Sequence, residues 1–205
     1  MQKREIYFLF TDTGTYLSKA INYFTKQELN HVSISFNEDF NAVYSFGRKR
    51  PRNPFIGGFV LEDINSEFLA KAECAIYHTE ISELDFQLMM SRIKEIEERK
   101  HEYRYNFIGL FGVLFHIRIN RKAALFCSEF AATVIQESEK FIFEKPACFI
   151  TPADIRNHPG IELIFRGKLE DYDPEPRKLV LGKNLMQKQS FIYYISNKFK
   201  QFVMK

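Results

Sequence analysis

HVSISF, residues 31–36, alternates strictly between polar and apolar side chains. Successive strand residues point to opposite faces, so His31, Ser33 and Ser35 share one face while Val32, Ile34 and Phe36 take the other. A turn-rich NEDFN follows, then a second strand-like run, Ala42–Phe46 (AVYSF), and the two read as a hairpin. Closing it around residues 37–41 places Ser45 roughly opposite Ser33 and Gly47 opposite His31. Ser45 then lies diagonally across from His31, on the same face and within side-chain reach. A slip of one residue would put Tyr44 there instead.

Outward from this hairpin, EIYFLF (5–10) reads as a short buried strand, and TDTGT (11–15) as a turn in which Gly14 permits positive φ. Leu17, Ala20, Ile21 and Phe24 fall at helical spacing and predict an amphipathic helix over residues 16–26. GRKRPRNPFIGG (47–58) reads as a basic Pro/Gly loop, and AECAIYH (72–78) as another strand. Residues 83–100 predict a solvent-facing helix whose apolar positions are Leu84, Leu88, Ile93 and Ile96. Tyr103–Ile119 is aromatic and ambiguous. AALFCSEFAATVI (123–135) predicts a buried helix with Cys127 and Ser128 near its start. In TPAD (151–154), Thr151 is a helix N-cap with Pro152 at the first helical position, and residues 161–172 end the compact part with a strand.

A chain of 205 residues supports one domain with a full core, and its 45% apolar and 16% aromatic content is globular. Three cysteines, Cys74, Cys127 and Cys148, cannot close a disulfide framework and fit a reducing compartment. The N-terminus lacks a signal-peptide pattern and no apolar run is long enough to span a bilayer, so a cytoplasmic protein is expected. Net charge is +3 but uneven: after Glu175 there are seven basic and no acidic residues, leaving 22 basic against 26 acidic before it. Residues 1–175 therefore read as one domain and 176–205 as a basic tail. Within the tail Leu185, Ile192, Ile195, Phe199 and Phe202 lie near one helical face. Such a helix can lie on an anionic membrane surface, or pack on its own domain or a partner.

The chemistry-bearing residue is Cys127. A thiol becomes a useful nucleophile at a helix N-terminus and beside a histidine brought near by the fold. Of five histidines, His31 stands out because it opens an alternating strand on its polar face. By composition alone, a cysteine in an apolar helix is a core residue and a histidine at a strand start is structural.

Three pieces taken together, FTDTGTYLSKAINYFT, then NHVSISF, then FCSEFAATVI, resemble the circularly permuted NlpC-type papain-like family. Its closest look-alikes are the YiiX-like bacterial proteins, with the lecithin retinol acyltransferase group more distant. The later ITPADI and Gly167-Lys168-Leu169 extend the resemblance over roughly residues 5–172. In that branch the histidine strand precedes the cysteine helix, as here. The resemblance implies an α+β fold in which an antiparallel sheet or small barrel packs against the nucleophile helix. It also implies Cys127 as nucleophile, His31 as general base, and a third, orienting position at or beside Ser45. A serine there departs from the family's usual stronger acceptor and would stabilise an imidazolium less than a carboxylate does.

By the same resemblance Tyr105, with Tyr103 as the alternative, helps bind an oxyanion together with the backbone N–H of Cys127. Thr11, Asp12 and Thr13 line the cleft, although a plain turn explains them equally well. Glu129 belongs to the family motif, but on a helix it points about 200° from Cys127, which favours a structural role bonding the hairpin or the TDTG loop. Ser128 is a helix-start residue.

The implied activity is a thiol-dependent hydrolase that cleaves an amide, in a peptide, a cell-wall fragment or an acyl amide, through a thioester. Alternatives are lipid acyl transfer, favoured if the tail meets a membrane, and a catalytically weak module that binds peptide or lipid. No cofactor or metal is implied, since no Cys/His spacing resembles a zinc site. The four basic residues of GRKRPRN form an anion clamp or a solvated loop, and nucleic acid is not an expected partner.

Overall fold

The computed structural model describes residues 3–12, 14, 19, 22–23, 27–50, 53–102, 104–105 and 124–174, with the backbone alone for 48–50, 53–56, 104–105 and 124. The helix expected over 16–26 falls largely outside the described residues, and Thr13, Tyr103 and the tail 176–205 fall wholly outside them. The chain divides into two units, Met1–Tyr172 and Asp173–Lys205.

The elements run β1 (Lys3–Asp12), β2 (His31–Ser35), β3 (Val43–Arg50), β4 (Asn53–Glu62), α1 (Glu67–Ala70), β5 (Glu73–Ser82), α2 (Glu83–Glu98), β6 (Arg104–Tyr105), β7 (Ala124–Leu125), α3 (Cys127–Ile135), α4 (Pro152–Arg156) and β8 (Glu162–Lys168). Six strands form one antiparallel sheet in the order β4-β3-β2-β1-β5-β8, and β6 pairs with β7 in parallel. The protein is thus α+β, a six-stranded antiparallel sheet packed on helices. No described helix is long and apolar enough to cross a membrane.

The run EIYFLF is apolar at every position after Glu5 because β1 is central and both its faces are covered. Ile6, Phe8 and Phe10 enter the core shared with the helices, whereas Tyr7 and Leu9 enter a second cluster with Phe40, Val43, Cys74 and Ile76. Helix α3 closes the first core: Phe130 is fully buried, with ring centroids 6.1 Å from Phe46 and 5.9 Å from Phe59. Thr151 caps α4 and exchanges bonds with Asp154 in a capping box, with Pro152 in the first turn, as TPAD predicts.

Ile34 pairs with Tyr44, the register expected from the sequence, and so places Ser45 beside Ser33. Two expectations fail. The stretch expected as a loop over 47–58 is strand at 47–50 and 53–58: β3 continues to Arg50, β4 begins at Asn53, and Gly47 pairs with Gly58. Pro54 is tolerated because β4 is an edge strand, where a missing ladder N–H costs little. On α2 the buried positions are Met89, Ile93 and Ile96, spaced four and three apart, whereas Leu84 and Leu88 face outward.

Candidate active site

His31 is the first residue of β2 and Cys127 the first of α3, so the two meet where strand and helix begin. The Cys127 thiol, only 7% exposed, donates to the carbonyl oxygen of Asn30 at 3.8 Å. It also interacts with the His31 ring, where both its hydrogen bond and its charge favour the imidazolium.

The nearest partner of His31 is one the sequence reading missed. Glu62, at the end of β4, places Oε1 2.7 Å from His31 Nε2. Its Oε2 accepts from the Ser33 hydroxyl at 2.6 Å. Ser45 lies where the hairpin register puts it, with Oγ 3.2 Å from the same Nε2. Ser45 is therefore a companion of the carboxylate rather than the closest acceptor. Gly47 borders this cluster: a Cβ there would make ordinary contacts, 3.4 Å from His31 Cε1 and 3.9 Å from Glu62 Oε1.

The electrostatics are those of an ion pair. Burial, the largest single influence on His31, pushes its pKa down. The charge of Glu62, the bond and charge of Cys127, and the Glu62 hydrogen bond together outweigh it and hold His31 well above its usual value. Burial likewise pushes Glu62 up, but the His31 charge and the hydrogen bonds from His31, Ser33 and Ser45 leave it below the usual carboxylate value. The side chains of His31 and Glu62 are 22% and 11% exposed, so solvent screens this pair only weakly.

The other expected residues fall as follows. The Tyr105 backbone pairs with Leu125, two residues before Cys127, and its side chain lies outside the described residues, as does all of Thr13. Thr11 is buried directly across from His31 in the register, and Asp12 ends β1. Ser128 donates to the carbonyl of Ile150 at 2.7 Å and so ties the start of α3 to the segment before α4. Among the described residues, no group of three His, Cys, Asp or Glu side chains is placed to hold a metal ion.

Among the described residues, Glu129 bonds neither the hairpin nor the TDTG turn. Phe126, the N-cap of α3, has no side-chain acceptor, and the Glu129 carboxylate instead takes a bond from the Phe126 backbone, half of a capping box. Its Oε2 is buried and has no hydrogen-bond partner among the described residues. Burial therefore raises its pKa to about 7, against the opposing Phe126 bond. A carboxyl whose folded pKa is raised destabilises the fold as pH climbs above the unfolded value. Glu129→Gln is thus expected to gain stability over the native chain from about pH 4.5 upward, levelling off above about pH 7, by up to about 3 kcal/mol. Urea unfolding on either side of that window checks it; a gain independent of pH would contradict the buried-charge account.

A buried thiol at a helix start, an imidazole that begins the neighbouring strand, and a carboxylate on that imidazole can together perform nucleophilic acyl chemistry. Comparison with known proteins finds no family model, no curated protein and no solved structure that matches the chain.

Proposed function

We propose that the protein is a thiol-dependent hydrolase of the permuted papain-like kind, cleaving an amide in a peptide, a cell-wall fragment or an acyl amide. The observation that carries this reading is the line Cys127–His31–Glu62, in which the thiol meets the carbonyl of the residue before His31 at 3.8 Å and His31 binds a carboxylate at 2.7 Å. Glu62 binds the imidazole at Nε2. The Cys127 sulfur gives its proton to His31 and attacks the carbonyl carbon. The resulting oxyanion is received by backbone N–H groups at the start of α3. His31 then delivers its proton to the departing amine, and the acyl group remains on sulfur as a thioester. Water, deprotonated by His31, attacks the thioester and releases the acid and the free thiol. Throughout, Glu62 holds the ring orientation and balances the imidazolium.

The Glu62 charge supplies what Ser45 lacks, and this favours turnover over a binding-only module. All three cysteines are free, which fits a reducing compartment such as the cytoplasm. The test is a panel of muropeptides, N-acyl amides and phospholipids, read by product release and by the mass of an acyl adduct on Cys127. One class is expected to turn over with the native chain and not with Cys127→Ser. Release that persists in Cys127→Ser, or no turnover together with labelling of Cys127 no faster than free cysteine, would overturn the reading.

A further inference from the structure

We propose that Asp12 and Asn22 are positioning residues for the Cys127–His31 pair, acting through Asn30; this rests on the catalytic reading above. The segment 27–30 leads directly into His31, and its conformation is costly. Leu29 is buried yet lies at φ +55°, a left-handed region that costs a side-chain-bearing residue about 1–2 kcal/mol. Such backbone persists only where its surroundings determine it.

Those surroundings are on both sides of the segment. On the outer side, Arg156 of α4 donates to the Glu28 carbonyl at 2.9 Å, and Arg166 of β8 meets the Glu28 carboxylate at 3.1 Å. On the inner side a side-chain relay runs back to the end of β1. The Asn30 amide donates to the Gln27 carbonyl at 2.7 Å and to Asn22 Oδ1. Asn22 Nδ2 donates to Asp12 Oδ2 at 2.7 Å, and Asp12 Oδ1 accepts the Gly14 N–H at 2.9 Å. The product is the placement of one peptide. Its carbonyl receives the Cys127 thiol, and the next residue is His31. A shift of Asn30 therefore moves the resting contact of the nucleophile and the root of the base together. Displacements of about 1 Å at such a pair cost on the order of 10²-fold in rate.

The relay has a polarity that can be exchanged. Asn22 must donate toward Asp12 and accept from Asn30 at once. Asn22→Asp sets two carboxylates against each other at the 2.7 Å contact. Asp12→Asn leaves one bond of the chain unmade, because an amide offers a single acceptor oxygen to Gly14 and Asn22. The double exchange Asp12→Asn with Asn22→Asp restores the relay from Gly14 to Asn30: Asn at 12 accepts from Gly14 and donates to Asp at 22, which accepts from Asn30.

The experiment is the iodoacetamide labelling rate of Cys127 across the neutral pH range, resolved from Cys74 and Cys148 by peptide mass. It is measured on the full chain as native, His31→Ala, Asp12→Asn, Asn22→Asp and the double exchange, with circular dichroism reporting the fold. Asn22→Asp is expected to lose about tenfold of the His31-dependent rate and flatten the pH profile, Asp12→Asn to lose less, and the exchange to return within about twofold of native. A merely structural relay would lower stability and leave the profile of the folded variant unmoved. Single variants that fold with the native profile, or an exchange that folds without restoring it, would overturn the proposal. Should Asn22→Asp not fold, Asp12→Asn and the exchange carry the same comparison. If native and His31→Ala label alike, the catalytic reading falls and this inference with it; if they differ while the single variants match native, only the positioning role falls.

Discussion

His31→Ala is expected to slow labelling of Cys127 by iodoacetamide near pH 7 by about an order of magnitude, and to lower acyl turnover by about 10³-fold. The thiolate is the species that alkylates, and on the catalytic reading His31 is the base that takes the thiol proton. Turnover should fall further than labelling, because an alkylation releases iodide and asks for no proton, whereas an amine leaving group needs one from His31. The reverse effect gives a second measurement on the same contact. The bond and charge of Cys127 help hold His31 above its usual pKa, so Cys127→Ser should move the His31 titration downward in NMR. Labelling that is indifferent to His31, or a His31 titration indifferent to Cys127, would show that the two side chains do not act as a pair.

Much of this site is legible in the sequence because it is written in local patterns. The alternation of HVSISF separates His31, Ser33 and Ser35 from the apolar core, and short-hairpin geometry alone brings Ser45 to the imidazole. The capping signals of TPAD and the helix over 127–135 are equally local. Glu62 is not. It reaches His31 across the intervening strand β3, and the stretch that determines its position, 47–58, carries the prolines and glycines that ordinarily mark a loop. Those residues lie in strands here: Pro54 sits on an edge strand, and Gly47 pairs with Gly58 in the ladder beside the imidazole. The signal was present in Phe59-Val60-Leu61-Glu62. With Val60 opposite Ser45, Glu62 comes on the same face, an acidic side chain aimed inward with a histidine to meet it. The stripe on α2 misled for a related reason. Leu84 and Leu88 share the apolar pattern with Ile93 and Ile96, yet large apolar residues are common at the surface, and the packed face is Met89, Ile93 and Ile96.

Glu62→Gln should have the second large effect, and its pH dependence separates it from an ordinary loss of packing. The amide keeps the size of the side chain and can still accept from His31 Nε2, but it removes the charge that offsets burial of the imidazolium. Its other arm is an NH₂ facing Ser33, which must then turn its hydroxyl to accept. His31 loses a principal cause of its raised pKa, so its titration should move down, and turnover should fall about 10²- to 10³-fold as the imidazolium becomes costlier. Stability follows from the two shifts. His31 is raised on folding, so its contribution is full below about pH 6.5 and fades as pH rises through the higher folded value. Glu62 is lowered, so its contribution is full above about pH 4.5 and fades as pH falls through the lower folded value. Both are fully present only between about pH 4.5 and 6.5, and the destabilisation by Glu62→Gln should peak there, at about 2 kcal/mol for a pair that keeps some exposure. Urea denaturation of both chains at acid, intermediate and alkaline pH reads it directly. A difference that stays constant across that range would mean the Glu62–His31 contact carries no ion pair, and the role of Glu62 as the charge behind His31 would be lost.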